Sequence, residues 1–197
     1  IPNGILLLMT NSREELLDHA MHAFALHGYD AVGVQEIAAA AGVAKPTLYH
    51  FFGSKSGLLE ALFSERLEPF MVKLAEACVY RKDVTGALLQ IVNTYFNFAE
   101  GNPRLCRFFL SLVYAPPESE AYLLSRSYRE RQQQLMETFF IEASKDHGNM
   151  RGRHQAYAAS FLGIVNTYVS LFLNDQIPVE DAMLRRVVHQ FMHGIFS

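Results

Sequence analysis

Apolar residues recur at helical spacing along almost the whole chain, whereas the alternation typical of a β-strand is absent. A capping box that starts at Ser12 predicts that the first helix begins there, and Gly28 supplies its stop. Further helices are predicted over residues 34–41, 45–52, from 54 onwards, 84–100, 103–114, 117–145, 153–174 and 179–194. The pattern therefore predicts an all-α protein of about nine helices.

A proline, Pro69, lies inside the helix that starts at Ser54. Proline lacks the N–H that would donate to the preceding turn, so the helix is expected to kink or divide there. The chain is predicted to comprise a three-helix N-terminal domain, residues 12–57, and a larger helical C-terminal domain, residues 58–197. Residues 1–11 are expected to be a disordered arm or a remnant of cloning.

Composition excludes several classes of protein. Half of the 197 residues are hydrophobic, which is enough to bury a substantial core. The net charge of −3 gives no sign of a basic coat, so any signal for DNA must be local. The most apolar window, residues 161–173, is broken by polar residues and is shorter than the ~20 residues of a membrane span, so no transmembrane helix is predicted. Cys78 and Cys106 stand far apart, which is typical of reduced thiols in a cytoplasmic protein.

Two short helices separated by a turn at Gly42 form a candidate helix-turn-helix, whose second helix, residues 45–52, would enter the major groove of DNA. Leu48 and Phe52 are four residues apart on one face of that helix. Together with Phe51 they are expected to pack onto the first two helices.

The outward side of this helix carries groups suited to DNA. Thr47, Tyr49 and His50 offer a hydroxyl, a phenol and an imidazole, which hydrogen-bond to phosphates and base edges. Lys45 opens the helix, and Lys55 opens the next one, where the backbone N–H groups also attract a phosphate. A DNA-facing surface between two lysines is therefore predicted.

The segment from His27 to Phe63, HGYDAVGVQEIAAAAGVAKPTLYHFFGSKSGLLEALF, resembles the DNA-binding domain of the TetR family of bacterial transcriptional regulators. The residues that carry the resemblance are Gly28-Tyr29, Ile37-Ala38, Ala41-Gly42-Val43, Thr47-Leu48-Tyr49-His50-Phe51-Phe52, Ser54-Lys55 and Leu58-Leu59. The resemblance covers roughly residues 12–63, and beyond them it extends only to length and all-helical character.

This resemblance implies a ligand-responsive transcriptional regulator, most simply a repressor, that binds a two-fold symmetric operator in double-stranded DNA as a homodimer. A small hydrophobic or aromatic effector would release it, and no catalytic residue, cofactor, metal or membrane is implied. Residues 12–57 would bind DNA, and residues 58–197 would bind the effector and form the dimer. The residues implied to contact DNA are Gln35, Lys45, Pro46, Thr47, Tyr49, His50 and Lys55.

The DNA-binding segment is poor in positive charge. Residues 1–60 contain three bases, Arg13, Lys45 and Lys55, and six acids, a net charge of −3. Because each phosphate contact adds affinity through counterion release, the sequence predicts modest binding per subunit and a shallow dependence on salt. Val32-Gly33 also stands where the family usually has Ser or Thr, which removes a side-chain cap from the second helix.

Aromatic residues crowd the C-terminal domain, and adjacent pairs such as Phe108-Phe109 and Phe139-Phe140 require apolar surroundings on two sides of a helix. Helical domains of this kind enclose apolar pockets with a few polar groups. The residues expected to contact the effector are Phe63, Leu67, Phe70, Tyr95, Phe98, Phe109, Tyr122, Phe140 and Asn166. Ordinary core packing is an alternative explanation for each of them.

The last two predicted helices are apolar on more than one face, and the first of them has small residues around Gly163 that permit close approach. Paired with their symmetry mates, they would make a four-helix interface. The residues expected in that interface are Phe161, Ile164, Tyr168, Val188, Phe191 and Met192.

Other functions are weighed against this one. His189 and His193 have a spacing that can chelate a metal, but no third ligand is near in sequence, so a surface or interface role is favoured. The chain has no nucleophile elbow and no phosphate-cradling glycine loop. An all-helical small-molecule carrier or enzyme without DNA binding, and a protein-interaction module, remain as alternatives.

Overall fold

The computed structural model describes the backbone of residues 2–194 and the side chains of residues 11–194, and this part contains helices and turns but no strand. The helices are α1 (Pro2–His27), α2 (Val34–Ala40), α3 (Lys45–Phe52), α4 (Lys55–Leu62), α5 (Glu68–Ala77), α6 (Val84–Gly101), α7 (Pro103–Ser111), α8 (Glu120–Asp146), α9 (His154–Leu173) and α10 (Asp181–His193), with a π-helical turn at Phe63–Leu67 and a 3-10 turn at Gly148–Met150. Because α4, the π-turn and α5 are continuous, the described residues form nine helices. The predicted all-α fold is therefore confirmed.

The described residues form two compact units. The first, the head, comprises residues 2–68 and 111–125, and the second, the body, comprises residues 69–110 and 126–194. The chain thus passes from one unit to the other after Glu68, whereas the sequence placed the boundary at residue 57. The assignment of DNA binding to one domain and effector binding to the other stays a prediction at this point.

Helix α1 begins before the capping box. Its backbone is helical from Pro2, so the predicted helix start at Ser12 is wrong. Residues 5–9 are isoleucine, leucine and methionine, which favour a helix, and nothing before the capping box interrupts it. Residues 1–11, expected to be a disordered arm or a remnant of cloning, belong to α1 from Pro2 onward, and the side chains before Asn11 lie outside the described residues.

Pro69 is accommodated by a π-helical turn rather than by a break. In that turn, Phe63–Leu67, hydrogen bonds reach back five residues, as from the N–H of Glu68 to the carbonyl of Phe63. A proline ring crowds the carbonyl four residues before it, and the wider turn relieves this crowding. The helical stretch therefore continues from Lys55 to Ala77.

The core of the head follows the predicted helical face of α1. Leu16, Leu17, Ala20 and Phe24 are buried. Helix α1 packs against α2, α3 and α4, which places the two short helices on one scaffold. The spacing of these apolar residues is close to 3.6, so the sequence was sufficient to predict this face.

Helix α9 is both unusually apolar and unusually exposed. It packs against α6 and α10 within the body. By length and composition it could cross a membrane, with a mean hydropathy of 1.5, and only 22% of its most apolar window is buried in the protomer. Length and composition do not distinguish a membrane span from a helix that packs against protein. The exposed residues of α9 are small or polar, whereas its large apolar side chains are buried or half-buried.

Candidate functional site

The turn between α2 and α3 has the geometry of a helix C-terminus that ends in the left-handed region. The N–H of Val43 donates to the carbonyl of Ala38 at 3.0 Å, and the N–H of Gly42 donates to that of Ala39 at 3.1 Å. Gly42 has φ of +67°, a conformation that glycine adopts without steric cost. This pair of hydrogen bonds fixes the angle at which the chain enters α3.

Helix α3 has one buried side and one exposed side. Leu48 and Phe52 are buried against the head, as predicted, whereas Phe51 is only half-buried. Tyr49 is 42% exposed and His50 is exposed. The exposed side therefore presents a phenol and an imidazole to solvent.

Other predicted DNA contacts lie at the start of α3 and on α2. Lys45 and Pro46 are exposed, and Thr47 is half-buried in the first turn of α3. Ala44, the N-cap of α3, offers no side-chain hydrogen bond, Pro46 has no N–H, and the N–H of Thr47 donates to the carbonyl of Ala44 at 2.9 Å. Gln35 is exposed in the first turn of α2.

Lys55 lies over an aromatic ring. Its Nζ atom is 4.1 Å from the centroid of the Tyr29 ring. The Tyr29 hydroxyl donates a hydrogen bond of 2.6 Å to Oε2 of Glu120, which lies in the first turn of α8. Tyr29 thus supports Lys55 with its ring face and is itself held by Glu120.

Burial is the main cause of the shifted pKa values of Lys55 and Tyr29. Burial lowers the pKa of the Lys55 ammonium, and the carboxylates of Asp30 and Glu120 partly oppose that effect. Burial and then the hydrogen bond to Glu120 raise the pKa of the Tyr29 phenol. The phenol therefore stays protonated and remains a hydrogen-bond donor to Glu120.

The start of α4 is fixed by a cap and by a close approach. The Ser54 hydroxyl accepts a hydrogen bond of 2.9 Å from the N–H of Gly57. A Cβ atom added at Gly57 would lie 2.0 Å from the carbonyl oxygen of Phe52, so glycine is required there. These two features hold the first turn of α4, and with it Lys55, against the end of α3.

Arg13, the third base of residues 1–60, is engaged inside the head. Its guanidinium donates to Glu65 in the π-turn, with Nη1 at 2.9 Å from Oε2, and lies over the Phe52 ring. Arg66 pairs in the same way with Glu14 and Asp18 of α1. Lys45 and Lys55 are thus the cations of that segment that lie beside the exposed side of α3.

The sequence pattern of the family described as bacterial regulatory proteins, tetR family, matches residues 16–62, which cover α2, α3, α4 and most of the buried face of α1. Residues 16–62 therefore form a DNA-binding domain of the TetR family. The chain is accordingly a DNA-binding transcriptional regulator with a C-terminal regulatory domain.

Relatives extend the likeness beyond the TetR helix-turn-helix. The transcriptional activator FasR of Mycolicibacterium smegmatis is 26% identical over 185 residues, which cover 94% of this chain and 83% of that protein. The transcriptional repressor AcnR of Corynebacterium glutamicum is 41% identical over 56 residues, which cover 28% of this chain and 30% of that protein. The sequence likeness to AcnR therefore covers less than a third of this chain, and the relatives include both an activator and a repressor.

The fold of most of the chain is also similar to that of a solved transcriptional regulator. The crystal structure of the regulator FadR from Bacillus subtilis in complex with stearoyl-CoA has a TM-score of 0.74 and 20% sequence identity, covering 92% of this chain and 98% of that one. At this level of identity the likeness shows the fold.

The residues predicted to contact the effector fall into separate groups. Phe63, Leu67 and Tyr122 belong to the head, and the remaining six belong to the body. Within the body, Phe70 packs against Tyr95 at 5.1 Å and against Phe98 at 4.4 Å between ring centroids. These three aromatic residues form a cluster at the contact between α5 and α6.

The other predicted effector residues of the body lie apart from that cluster. Phe109 is buried on α7, and Asn166 is half-buried on α9. Phe140 belongs to a second aromatic cluster, where its ring centroid is 5.6 Å from that of Tyr157 and 5.8 Å from that of Phe191. Phe140 also lines a cavity of about 250 Å³ near the 3-10 turn. The structure thus brings together Phe70, Tyr95 and Phe98, but not the whole predicted set.

Two of the residues predicted at the dimer interface are in the interior of the protomer. Phe161 is 0% exposed and Val188 is 3% exposed, so neither is available to a second subunit. The helical period located an apolar face correctly, but it does not decide which of two apolar faces packs inward. Ile164, Tyr168 and Phe191 are half-buried, and Met192 is exposed.

The exposed side of α9 is made of small residues instead. They recur at helical spacing, and a Cβ atom added at Gly163 would meet nothing within 4 Å. The exposed small residues are Ala156, Ala159, Ser160, Gly163, Thr167 and Ser170. The small residues at Ala159, Ser160 and Gly163 are visible in the sequence, but the pattern alone also allows the larger neighbouring residues to form the interface.

His189 and His193 lie on the exposed side of α10, with ring centroids 4.6 Å apart. They line a surface groove together with Arg185 and Arg186, whose positive charges oppose the binding of a cation. Among the residues that the structure describes, no group of three His, Cys, Asp or Glu side chains could hold a metal ion.

Sequence reasoning missed the roles of Tyr29, Glu120 and Gly57 beside the DNA-facing surface. Tyr29 was recognised only as a family residue. Glu120 is 91 positions away from it, so no local pattern could connect the two. The close approach at Gly57 depends on where the Phe52 carbonyl lies, which a sequence does not reveal.

Proposed function

We propose that this TetR-family regulator is a homodimeric repressor that binds a two-fold symmetric operator and is released by a small hydrophobic effector. The observation that supports the proposal best is the two-sided α3. Leu48 and Phe52 fix the helix to the head, while Lys45, Tyr49 and His50 face solvent. A helix presented in this way can enter the major groove, with its partner about 34–36 Å away in the dimer.

Affinity for the operator comes mostly from uncharged donors. Lys45 and Lys55 contribute two phosphate contacts per subunit, and about 0.9 counterion is released for each contact. The dependence of log affinity on log salt is therefore expected to have a slope of about −4 or shallower for a dimer. The side chains of Thr47, Tyr49 and His50 supply the remaining contacts.

Fluorescence anisotropy with DNA from upstream of the protein's own gene tests the operator. The double variant Thr47→Ala with Tyr49→Ala is expected to bind at least about tenfold more weakly. Asn97→Ala, an exposed position on α6, is the matched control and leaves binding unchanged. Equal affinity of the wild-type protein for scrambled DNA of the same length would contradict the proposal.

The effector belongs to the class of long apolar molecules. The body has two aromatic clusters, and the solved FadR structure with a similar fold contains stearoyl-CoA. Long-chain acyl-CoA is therefore the first probe. Addition of stearoyl-CoA is expected to lower the affinity for the operator, whereas CoA without an acyl chain has no effect. An unchanged affinity with stearoyl-CoA and with other hydrophobic compounds would overturn the effector part of the proposal.

The dimer is proposed to form through the exposed side of α9 together with α10. Helix α9 is apolar in composition but only partly buried in the protomer, and the small side chains on its exposed side let two such helices approach closely. In analytical ultracentrifugation, Gly163→Leu is expected to shift the protein from dimer to monomer. Gly101→Leu, at another helical glycine with free space around it, is the control and leaves the dimer intact.

The sign of regulation is tested separately, since binding alone does not distinguish a repressor from an activator. A reporter gene behind the operator is expected to be silent with the wild-type protein and active with the Thr47→Ala, Tyr49→Ala variant. Higher reporter output with the wild-type protein than with the variant would identify an activator instead.

A further inference from the structure

Tyr95 of α6 has a buried hydroxyl without a partner. The side chain is 5% exposed, and among the buried side-chain nitrogen and oxygen atoms of the described residues, the Tyr95 hydroxyl oxygen is the one that makes no hydrogen bond. Burying an unpaired hydroxyl costs free energy, and phenylalanine would fill the same space without that cost. A tyrosine in this position therefore calls for a partner that the free protein does not supply.

The surroundings of Tyr95 are apolar. The Phe70 ring meets the Tyr95 ring edge-on at an interplanar angle of 72°, and the Phe98 ring stacks on the Phe70 ring with their centroids 4.4 Å apart. The buried thiols of Cys78 and Cys106 lie close enough to add to the raised pKa of Tyr95, whose main cause is burial. Burial also raises the pKa of each thiol to about 12, so the thiols and the phenol all stay protonated.

A protonated phenol in apolar surroundings is a donor that requires an acceptor. A carboxylate would lose its hydration on entering this cluster, and no basic side chain of the described residues contributes to the pKa of Tyr95. A neutral carbonyl oxygen accepts the same hydrogen bond without burying a charge. The missing partner is therefore an uncharged acceptor attached to an apolar group.

We propose that the Tyr95 hydroxyl donates a hydrogen bond to a neutral carbonyl oxygen of the effector, such as that of a thioester, an ester or a ketone, while Phe70 and Phe98 contact its apolar part. This inference rests on the proposed function, because it specifies the chemistry of the effector. Tyr95 thereby becomes the residue that selects a carbonyl compound over a free acid.

Access of the effector to Tyr95 requires movement of its neighbours, since the Phe70 ring is packed directly against it. Phe70 belongs to α5, and α5 is the C-terminal part of the helical stretch that begins at Lys55. Occupation of this site therefore requires a shift of Phe70 within the body, and the effector must bind the shifted form more tightly.

The test compares two ligands that differ only in the carbonyl group: stearoyl-CoA, and S-octadecyl-CoA, in which a thioether replaces the thioester. The wild-type protein is expected to bind the thioester about tenfold more tightly than the thioether in isothermal titration calorimetry. Tyr95→Phe is expected to lose this preference and to bind both ligands with the affinity that the wild-type protein has for the thioether. Tyr80→Phe, which removes a surface hydroxyl bonded to Asp146 at 3.2 Å, is the control and keeps the preference.

The melting temperature of the free protein shows that Tyr95→Phe is folded, since this variant is expected to melt at or above the wild-type temperature. If Tyr95→Phe retains the tenfold preference, the inference about Tyr95 is overturned while the proposed function stands. If the wild-type protein binds DNA but binds none of stearoyl-CoA, methyl stearate and 2-nonadecanone, or binds stearic acid more tightly than all of them, the carbonyl chemistry is overturned. Absence of specific DNA binding would instead overturn the proposed function.

Discussion

The head and the body differ in whether every buried polar side-chain atom has a hydrogen-bond partner. In the described part of the head, every buried side-chain nitrogen and oxygen has a hydrogen-bond partner, and the Tyr29 phenol is tied to Glu120. In the body the Tyr95 phenol is equally buried and has none. The described part of the head therefore leaves no buried side-chain nitrogen or oxygen unpaired, whereas that of the body leaves one, the hydroxyl that we propose pairs with the effector.

Two glycines, one in the head and one in the body, provide the strongest test of this comparison. Each lies three residues after the N-cap of its helix, so their local geometry is matched. Gly57→Ala in the head forces a Cβ atom to 2.0 Å from the Phe52 carbonyl oxygen, a backbone atom that cannot turn away. A loss of about 3 kcal/mol in the free energy of unfolding is expected, together with loss of DNA binding. Chemical denaturation and anisotropy measure the two effects.

Gly86→Ala in the body is the matched control for this prediction. Its Cβ atom would meet the carboxylate of Asp83 at 2.2 Å, and that side chain can rotate away at the expense of its cap. A loss of about 1 kcal/mol is expected, with DNA binding retained. Equal losses of unfolding free energy for the two variants would show that α3 and α4 leave room for a Cβ atom at residue 57.

Removing one hydroxyl from each buried tyrosine should give effects of opposite sign. Tyr29→Phe loses a hydrogen bond to a carboxylate and is expected to cost about 1.5 kcal/mol of stability, while its ring stays under Lys55. Tyr95→Phe loses no hydrogen bond and is expected to cost nothing or to stabilise the protein. Thermal unfolding of both variants decides the matter, and a destabilised Tyr95→Phe would mean that its hydroxyl has a partner in the free protein.

The two N-caps offer a comparison at matched geometry. The Ser54 hydroxyl and the Asp83 carboxylate each accept the N–H three residues later at 2.9 Å. Replacement of either by alanine is expected to cost about 1 kcal/mol. Only Ser54→Ala should also weaken binding to the operator, because it loosens the turn that carries Lys55. Weaker DNA binding of Asp83→Ala would show that body stability alone controls the head.

The ion pair between Arg13 and Glu65 should have the smallest effect. The hydrogen bond from Arg13 is the main cause of the lowered pKa of Glu65, so the pair stabilises the head above pH 4.5, the ordinary value for the carboxyl, and this stability is lost as the pH falls through the lowered pKa. Because both side chains are about one-third exposed, Glu65→Gln is expected to cost about 0.5 kcal/mol at pH 7. Denaturation at pH 7 and pH 3 is expected to show the difference shrinking at low pH, with Glu76→Gln of α5 as the control.

The head was also more predictable from the sequence than the body. The faces of α3 were predictable because Leu48 and Phe52 are four residues apart, and Gly42 marks the turn before them. Phe51 was assigned to the buried side but is half-buried, since it lies at the edge of that face. Short-range spacing and turn chemistry were therefore sufficient to predict which side chains of α3 are buried and which are exposed, apart from Phe51.

The body was predictable only as a set of helices. Phe161 and Val188 have the spacing of an interface but pack inward, because the choice between two apolar faces depends on which other helices are present. The unpaired hydroxyl of Tyr95 is likewise a property of what surrounds it after folding. No periodicity in the sequence distinguishes it from the paired hydroxyl of Tyr29.

If two copies bury the exposed small-residue side of α9 against each other, as proposed, the stability of the protein depends on its own concentration. Mass action then makes the melting temperature rise with protein concentration. A newly made subunit passes through a period in which this side of α9 is uncovered. Slow synthesis prolongs this period and favours capture by chaperones or proteases, so the level of the regulator sets how much of it survives to bind DNA.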